Sequence, residues 1–486
     1  MAGANVAIYL FELLRIKAAA ILLGPSGVGL LGAYQALLKV ASVVTTDGLK
    51  NAGVRQIAHF SNNGKDESVT HVISSIRRAS VVLALLGVTI LLAGAENISK
   101  WLFAGQLDLT SILLLGLALV IGAFSGCELA LLQGTRRIRE FAIAQVFSAA
   151  ITTAICVLLY TKLGVNGIAP GLVVSAFSLL LISKHYTGKI PLRGHGPSYG
   201  ETLRKSVDLL SLGFALSWSG LLVYLIDAIA RSLIVQKFGL PSSGLYQAAW
   251  SISGLFAGFI MAAMGSDFYP RLSAVINDQK AASTLINQQT EIGILLALPG
   301  LTVTICFASE ILALIYSSDF SPAAPLLHYF TLGIVGRVLS WPLGYIQLAK
   351  NNARSFLITE TVFGALYLGQ IIFFLIHQGL VGIGQAFLAN YVLYLATMLV
   401  LAKRMIGFSW STETRSLVAK ALIFMIAGSA TSLLDNHYGK MLNIVIVGTT
   451  GVFSLRGLIL RVGKDNQLGR RVAGSRWLRT LLFLPK

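Results

Sequence analysis

The sequence predicts an all-α polytopic membrane bundle of about fourteen transmembrane helices, and three observations predict it. Of the 486 residues, 55% are hydrophobic and only 12% are charged, about half the charged share of a typical soluble domain, so no soluble surface could be built from it. Apolar runs recur near the roughly 20-residue length that crosses a bilayer. The 38 Lys and Arg residues fall largely between these runs, and they do so on one side.

Taken in order, a first set of six spans lies at 2–23, 30–47, 79–98, 109–132, 141–160 and 165–183, and a second set at 207–235, 243–266, 289–316, 325–348, 356–377 and 381–402. Two more, 416–434 and 441–460, follow. The connections 48–78, 133–140, 184–206, 267–288, 349–355 and 403–415 hold 20 Lys or Arg, and the tail from Arg456 adds eight. The opposite connections hold only Lys100, Lys162, Lys237 and Lys440. Positive residues are retained on the cytoplasmic side, so both termini are expected there, with an even number of spans.

The Gly-, Pro- and Lys/Arg-rich stretch 184–206 reads as a cytoplasmic linker. The sequence echoes itself on either side of it. Pro25 followed by Tyr34-Gln35-Ala36 returns as Pro241 followed by Tyr246-Gln247-Ala248, and Arg55-Gln-Ile-Ala returns as Arg271-Leu-Ser-Ala. An even number of helices per half makes the repeat parallel. The expected organisation is an N-lobe (1–183), the linker (184–206), a C-lobe (207–403), two further helices (404–460) and a basic tail (461–486). In the tail, Arg470, Arg471, Arg476 and Arg479 alternate with Trp477, Leu478, Leu481 and Phe483. That pattern suits either an amphipathic helix on anionic headgroups or a basic tail that only enforces orientation.

The net charge of +18 does not imply nucleic acid, because no nucleic-acid-binding motif accompanies it. Cys127, Cys156 and Cys306 lie inside apolar runs without CxxC spacing and are expected to be buried small side chains, with no disulfide framework, metal site or cofactor. Gly27-Val-Gly-Leu-Leu-Gly32 matches GxGxxG but lies between two spans rather than after a strand, so the glycines are expected to turn the chain and let span 2 pack closely. No Walker A or HExxH pattern is present, and the connections opposite the basic face are too short for a catalytic domain, so no enzyme is expected.

Charges inside the spans carry the functional signal, since each costs about 2.5–3.5 kcal/mol at a helix centre and needs water or a partner. Arg337 lies near the middle of span 10 with no acidic residue at i±3 or i±4. Lys17 and Lys39 also lack an acidic residue at that spacing. Glu12 with Arg15 (i,i+3) and Asp227 with Arg231 (i,i+4) occupy spans 1 and 7, equivalent in the two halves, and invite intrahelical ion pairs. Glu128, near the end of span 4, is either a buried titratable group or a solvated one, and Asp47 and Lys50 read as interfacial. A cleft lined by Lys and Arg suits a phosphate or diphosphate headgroup, and acidic groups in it could couple transport to H⁺ or Na⁺.

LLGPSGVGLLGAYQALLKVASVVTTDGLKNAGVRQIA (22–58) resembles the signature of Wzx-type polysaccharide-export flippases, in which a Leu-Gly-Pro turn joins the first two helices. The stretches 131–149, 244–273 and 314–360 are similar to the same family, in particular to its O-antigen and enterobacterial common antigen branches. The resemblance implies the multidrug/oligosaccharidyl-lipid/polysaccharide exporter fold, with two six-helix lobes opening alternately. It implies an undecaprenyl-diphosphate-linked glycan as substrate, a bacterial inner-membrane location and a possible glycan polymerase partner. It would place Arg15, Lys17, Lys39, Asp227 and Arg231 near a cationic cleft, and Lys17, seven residues before Gly24, matches a basic position of related flippases. The resulting expectation is a flippase that binds the diphosphate through Arg15, Lys17, Lys39, Arg231 and Arg337, with Asp227 and Glu128 as ion-coupling groups. A small-cation or drug antiporter on the same fold and a membrane enzyme of glycan assembly remain as alternatives.

Overall fold

The computed structural model describes residues 2–62, 66–103, 105, 108–190, 199–434 and 437–462. The described backbone is helical almost throughout and contains no strand. The first half holds α1 (Ala2–Ser42), α2 (Gly48–Asn62), α3 (Asp66–Ala93), α4 (Ala95–Phe103), α5 (Leu109–Gly134), α6 (Ile138–Leu163) and α7 (Ile168–Thr187). There follow α8 (Tyr199–Val275), α9 (Gln279–Cys306), α10 (Ala308–Ile315), α11 (Ala324–Ala349), α12 (Ala353–Gln378), α13 (Val381–Ile406), α14 (Thr412–Ser432) and α15 (His437–Val462).

Both α1 and α8 are pairs of spans bent at a glycine. Gly24 (φ 65°, ψ −171°) breaks α1 and Gly239 (φ 80°, ψ 174°) breaks α8, each in a region that only glycine occupies without strain. Pro25 follows the first turn directly, where its fixed φ and missing N–H suit the opening of the second arm. The turn therefore falls at Gly24, whereas Gly27, Gly29 and Gly32, expected to make it, are helical and serve close packing alone. A Cβ at Gly29 would collide with the Leu240 carbonyl, and one at Gly32 with the Arg231 and Gln247 side chains.

Nine stretches among the described residues are long and apolar enough to cross a membrane, and two of them, Ile138–Thr187 and Trp218–Leu255, each hold two predicted spans. They cover every predicted span except the first, second and thirteenth. The arms of α1 carry Glu12, Arg15, Lys17 and Lys39, and α14 opens on Glu413, Arg415 and Lys420, which makes these helices less apolar. The first arm of α8 starts at Tyr199, earlier than its apolar run suggests. The amphipathic reading of Arg470 to Phe483 lies outside the described residues.

The chain divides into two compact units. The first comprises Met1–Gln247 with Ile315–Asp319, and the second Ala248–Leu314 with Phe320–Lys486. In the first, Leu49, Ala52, Ile57, Val69, Ile73, Ile76, Cys127 and Leu131 form a core between α2, α3 and α5. In the second, Phe268, Leu272, Ile286, Leu343, Ile346, Met398, Ala402 and Ile406 do so between the end of α8, α9, α11 and α13. Large apolar side chains also point outward along whole faces, such as Ile358, Val362, Leu366, Phe373 and Ile376 on α12. Such a face is suited to lipid tails rather than water. Buried hydroxyls return their hydrogen bonds to the helix, as Thr290 does to Ile286 O, Thr302 to Leu298 O and Thr331 to Leu327 O. Cys127, Cys156 and Cys306 are buried free thiols, as their apolar surroundings predicted.

Candidate functional site

In the first unit the polar centre is built by the turn at Gly239, which folds the second arm of α8 back so that Tyr246 meets Asp227 and Arg231. Arg231 Nε donates to Asp227 Oδ2 at 2.9 Å, and the Tyr246 hydroxyl donates to Oδ1 at 2.8 Å. The Arg231 guanidinium also lies 4.9 Å over the Tyr246 ring. The side chains of Arg231 and Asp227 are only 3% and 13% exposed, so the predicted i,i+4 ion pair forms and is buried. Among the described residues, Nη1 of Arg231 nevertheless finds no hydrogen-bond acceptor. On the second arm of α1, Lys39 places its Nζ 6.0 Å from the Tyr224 ring. The structure thus joins Asp227 and Arg231 to Tyr246 across the two arms of α8, and sets Lys39 of α1 against Tyr224, one turn before Asp227 on the first of those arms.

The other predicted residues of this unit lie elsewhere. Lys17 is half-buried on the first arm of α1. Arg15 is half-buried and within electrostatic reach of Cys156 and Tyr160, so it faces α6, and it forms no ion pair with Glu12. Glu128 is buried, paired at 2.7 Å with Arg77 of α3 and accepting a hydrogen bond from the Thr187 hydroxyl at the end of α7. This carboxylate, for which the sequence leaves both a buried and a solvated reading, is buried and joins three helices. A π-helical turn, Val43–Asp47, ends α1, where Asp47 accepts a hydrogen bond from Ser42.

In the second unit Arg337 is half-buried, its guanidinium 6.0 Å from the Tyr391 ring, and Gly336 leaves room for Tyr391 to approach. Tyr394, one turn further along α13, donates to Glu360 of α12 at 3.0 Å. Among the described residues neither Lys39 nor Arg337 forms an ion pair, in contrast to Arg77 and Arg231. Two of the intramembrane cations are therefore neutralised by carboxylates, and two rest against tyrosine rings, whose negative faces attract a cation weakly.

Comparison with known proteins starts from a family model described as polysaccharide biosynthesis protein, which matches residues 19–325. The chain belongs to the polysaccharide biosynthesis protein family. Among curated relatives of this family member is the lipid III flippase of Escherichia coli (strain K12), 24% identical over 385 residues that cover 78% of this chain and 90% of the relative. The Shigella flexneri lipid III flippase matches to the same extent. Two solved structures share the fold. The lipid II flippase MurJ in an inward closed conformation aligns with a TM-score of 0.70 at 15% identity, over 93% of this chain and 98% of that one. An inward-facing multidrug resistance MATE family transporter of the MOP superfamily aligns with a TM-score of 0.69 at 17% identity, over 82% and 94%. The all-α polytopic fold and the Wzx-type resemblance read from the sequence agree with these matches.

Sequence reasoning missed three polar groups of this family member. Tyr246 was noticed only as part of a repeat, and its role depends on the turn that returns it to Asp227. Arg77 was counted among the cytoplasmic cations of a connection, although it reaches the buried Glu128. Glu360 lies inside a predicted span and was passed over, and its presence in an apolar run was the signal that could have found it.

Proposed function

We propose that this protein is a flippase that moves an undecaprenyl-diphosphate-linked glycan, of O-antigen or enterobacterial common antigen type, from the cytoplasmic to the periplasmic leaflet of the inner membrane. Both termini would be cytoplasmic, and no covalent step is involved. The observation that carries the reading is that among the described residues Lys39 and Arg337 form no ion pair with a carboxylate, in a chain related over most of its length to lipid III flippases. A cation in an apolar helix costs about 2.5–3.5 kcal/mol until an anion or water compensates it, and a diphosphate supplies that anion. Lys17, on the first arm of α1, would add to the cationic surface, and Arg15 would do so only by turning away from α6.

Alternating access completes the cycle. The headgroup enters from the cytoplasmic side, the cations hold the diphosphate while the apolar tail stays in lipid, and reopening on the far side releases it. Coupling to H⁺ or Na⁺ would act through Asp227, because protonating it frees Arg231 to add a further cation to the diphosphate. Glu128 would take part in such coupling only by leaving Arg77. The delivered repeat unit is consumed by a glycan polymerase, which makes such an enzyme a reasonable partner. Export of cationic drugs on the same fold would call for acidic groups where this chain carries Lys39 in the first unit and Arg337 in the second.

Charge reversal tests this. Lys39→Glu and Arg337→Glu, each at normal membrane abundance, are expected to abolish transfer of lipid-linked oligosaccharide across proteoliposomes, read by glycosidase access to the outer leaflet. Unchanged transfer in both variants would sink the binding assignment.

A further inference from the structure

The short helix α4 has a sequence, AENISKWLF, that is amphipathic over only nine residues. A helix of this length leaves its last carbonyls without donors of their own. The Trp101 carbonyl finds them on the first arm of α8, where the Ser232 hydroxyl donates to it at 2.7 Å and Gln236 Nε2 at 3.1 Å. Gln236 also donates to the Ser232 oxygen at 3.2 Å, so the two side chains, one turn apart, act as a single clasp. The other anchor of α4 is Phe103, fully buried with its ring 5.3 Å from Tyr34 on the second arm of α1. Outward, Glu96 pairs with Lys100, both exposed.

This small helix therefore binds one helix from each sequence repeat. The same two pairs of arms are pressed together at their turns in a reciprocal way. Gly29, five residues after the Gly24 turn, has no room for a Cβ because of the Leu240 carbonyl, and Gly244, five residues after the Gly239 turn, has none because of the Pro25 carbonyl.

We propose that α4 is a releasable strap that latches the periplasmic end of these arms shut, and that the Ser232 and Gln236 grip on the Trp101 carbonyl is the latch. It rests on the alternating-access cycle proposed above. Opening toward the periplasm separates the repeats, and it must first break these two hydrogen bonds, which are few enough to be remade in every cycle.

The test uses the full-length protein in cells, with Ala36→Cys, buried below the crossed turns, as a reporter for a membrane-impermeant maleimide. The three native thiols are buried and stay in place. Adding Ser232→Ala with Gln236→Ala is expected to raise the labelling rate several-fold, and Ser232→Thr, which keeps the hydroxyl, to leave it near the parent rate. Labelling equal in parent and double variant overturns the strap. In a second arm, Trp101→Cys and Gln236→Cys joined by a short bifunctional maleimide should stop transport that the unjoined protein performs, and continued transport in the joined protein also overturns it. If the unjoined protein moves no lipid-linked glycan, the functional reading fails while the labelling result still decides the strap.

Discussion

A guanidinium among apolar helices is less costly to keep charged where a carboxylate faces it, and Arg231 has that partner in Asp227, which the Tyr246 hydroxyl also holds. Removing one partner is worse than removing both. Asp227→Asn leaves Arg231 buried and uncompensated and should cost about 3–5 kcal/mol of stability, seen as a lower melting temperature in detergent. Asp227→Asn combined with Arg231→Gln should recover much of that loss, while transport stays impaired. A double variant as unstable as the single one would show that the pair is not what holds these arms together. The i,i+4 spacing made this pair legible in the sequence. Its third member was not, because Tyr246 comes back only through a backbone reversal at Gly239. Glu128 shows the same limit, since its partner Arg77 is 51 residues away and looked like part of a solvated connection.

The elements of this protein are set by where apolar runs stop, and the two glycine turns show the physics most directly. Gly24 and Gly239 hold φ of 65° and 80° with ψ near 180°, a combination in which a side chain costs about 1–3 kcal/mol. Gly24→Ala should lower stability by about that amount, whereas Gly122→Ala, in α5 with open space around it, should raise it by up to about 1 kcal/mol. Equal melting temperatures for Gly24→Ala and the parent would contradict the turn geometry. A second element-scale prediction concerns the start of α14, where the Ser411 side chain accepts from the Thr414 N–H at 3.0 Å. Its own backbone N–H and the Ser411 hydroxyl hold the exposed Glu413 carboxyl below the usual range. A depressed carboxylate contributes stability that is present above the unfolded pKa of about 4.3 and lost as pH falls through the folded value. Ser411→Ala removes the helix cap and should for that reason cost about 1 kcal/mol near neutral pH. It should also raise the Glu413 pKa toward its ordinary value, so the difference between parent and variant melting temperatures narrows on acidification below that range.

At the scale of the whole chain, the sequence made the alternation of spans and basic connections readable because membrane insertion imposes length and charge rules on every segment. What it hid were the contacts that join distant segments, and the C-terminal pair α14 and α15 is the clearest instance. The family match ends at residue 325, and no motif marked these two helices. Yet Glu291 of α9 is paired with Arg461 of α15 and accepts from the Thr414 hydroxyl of α14 at 2.6 Å. At the C-terminal end of α9, Asn443 of α15 donates to the Cys306 carbonyl at 3.0 Å and accepts from Thr431 of α14 at 2.6 Å. The middle and the C-terminal end of α9 therefore depend on the last two helices for polar partners, and within the second unit the pair is an integral part of the packing. Truncation before Thr412 should leave the Glu291 carboxylate and the Cys306 carbonyl without these partners, a loss of several kcal/mol by the cost of stranding a buried charge. The shortened protein should melt well below the full chain in detergent, and Glu291→Gln should reproduce part of that drop. Glu291→Leu with Arg461→Leu, which removes both charges, should reproduce less. A truncated chain that melts and transports like the full one would mean that α14 and α15 merely rest on the second unit.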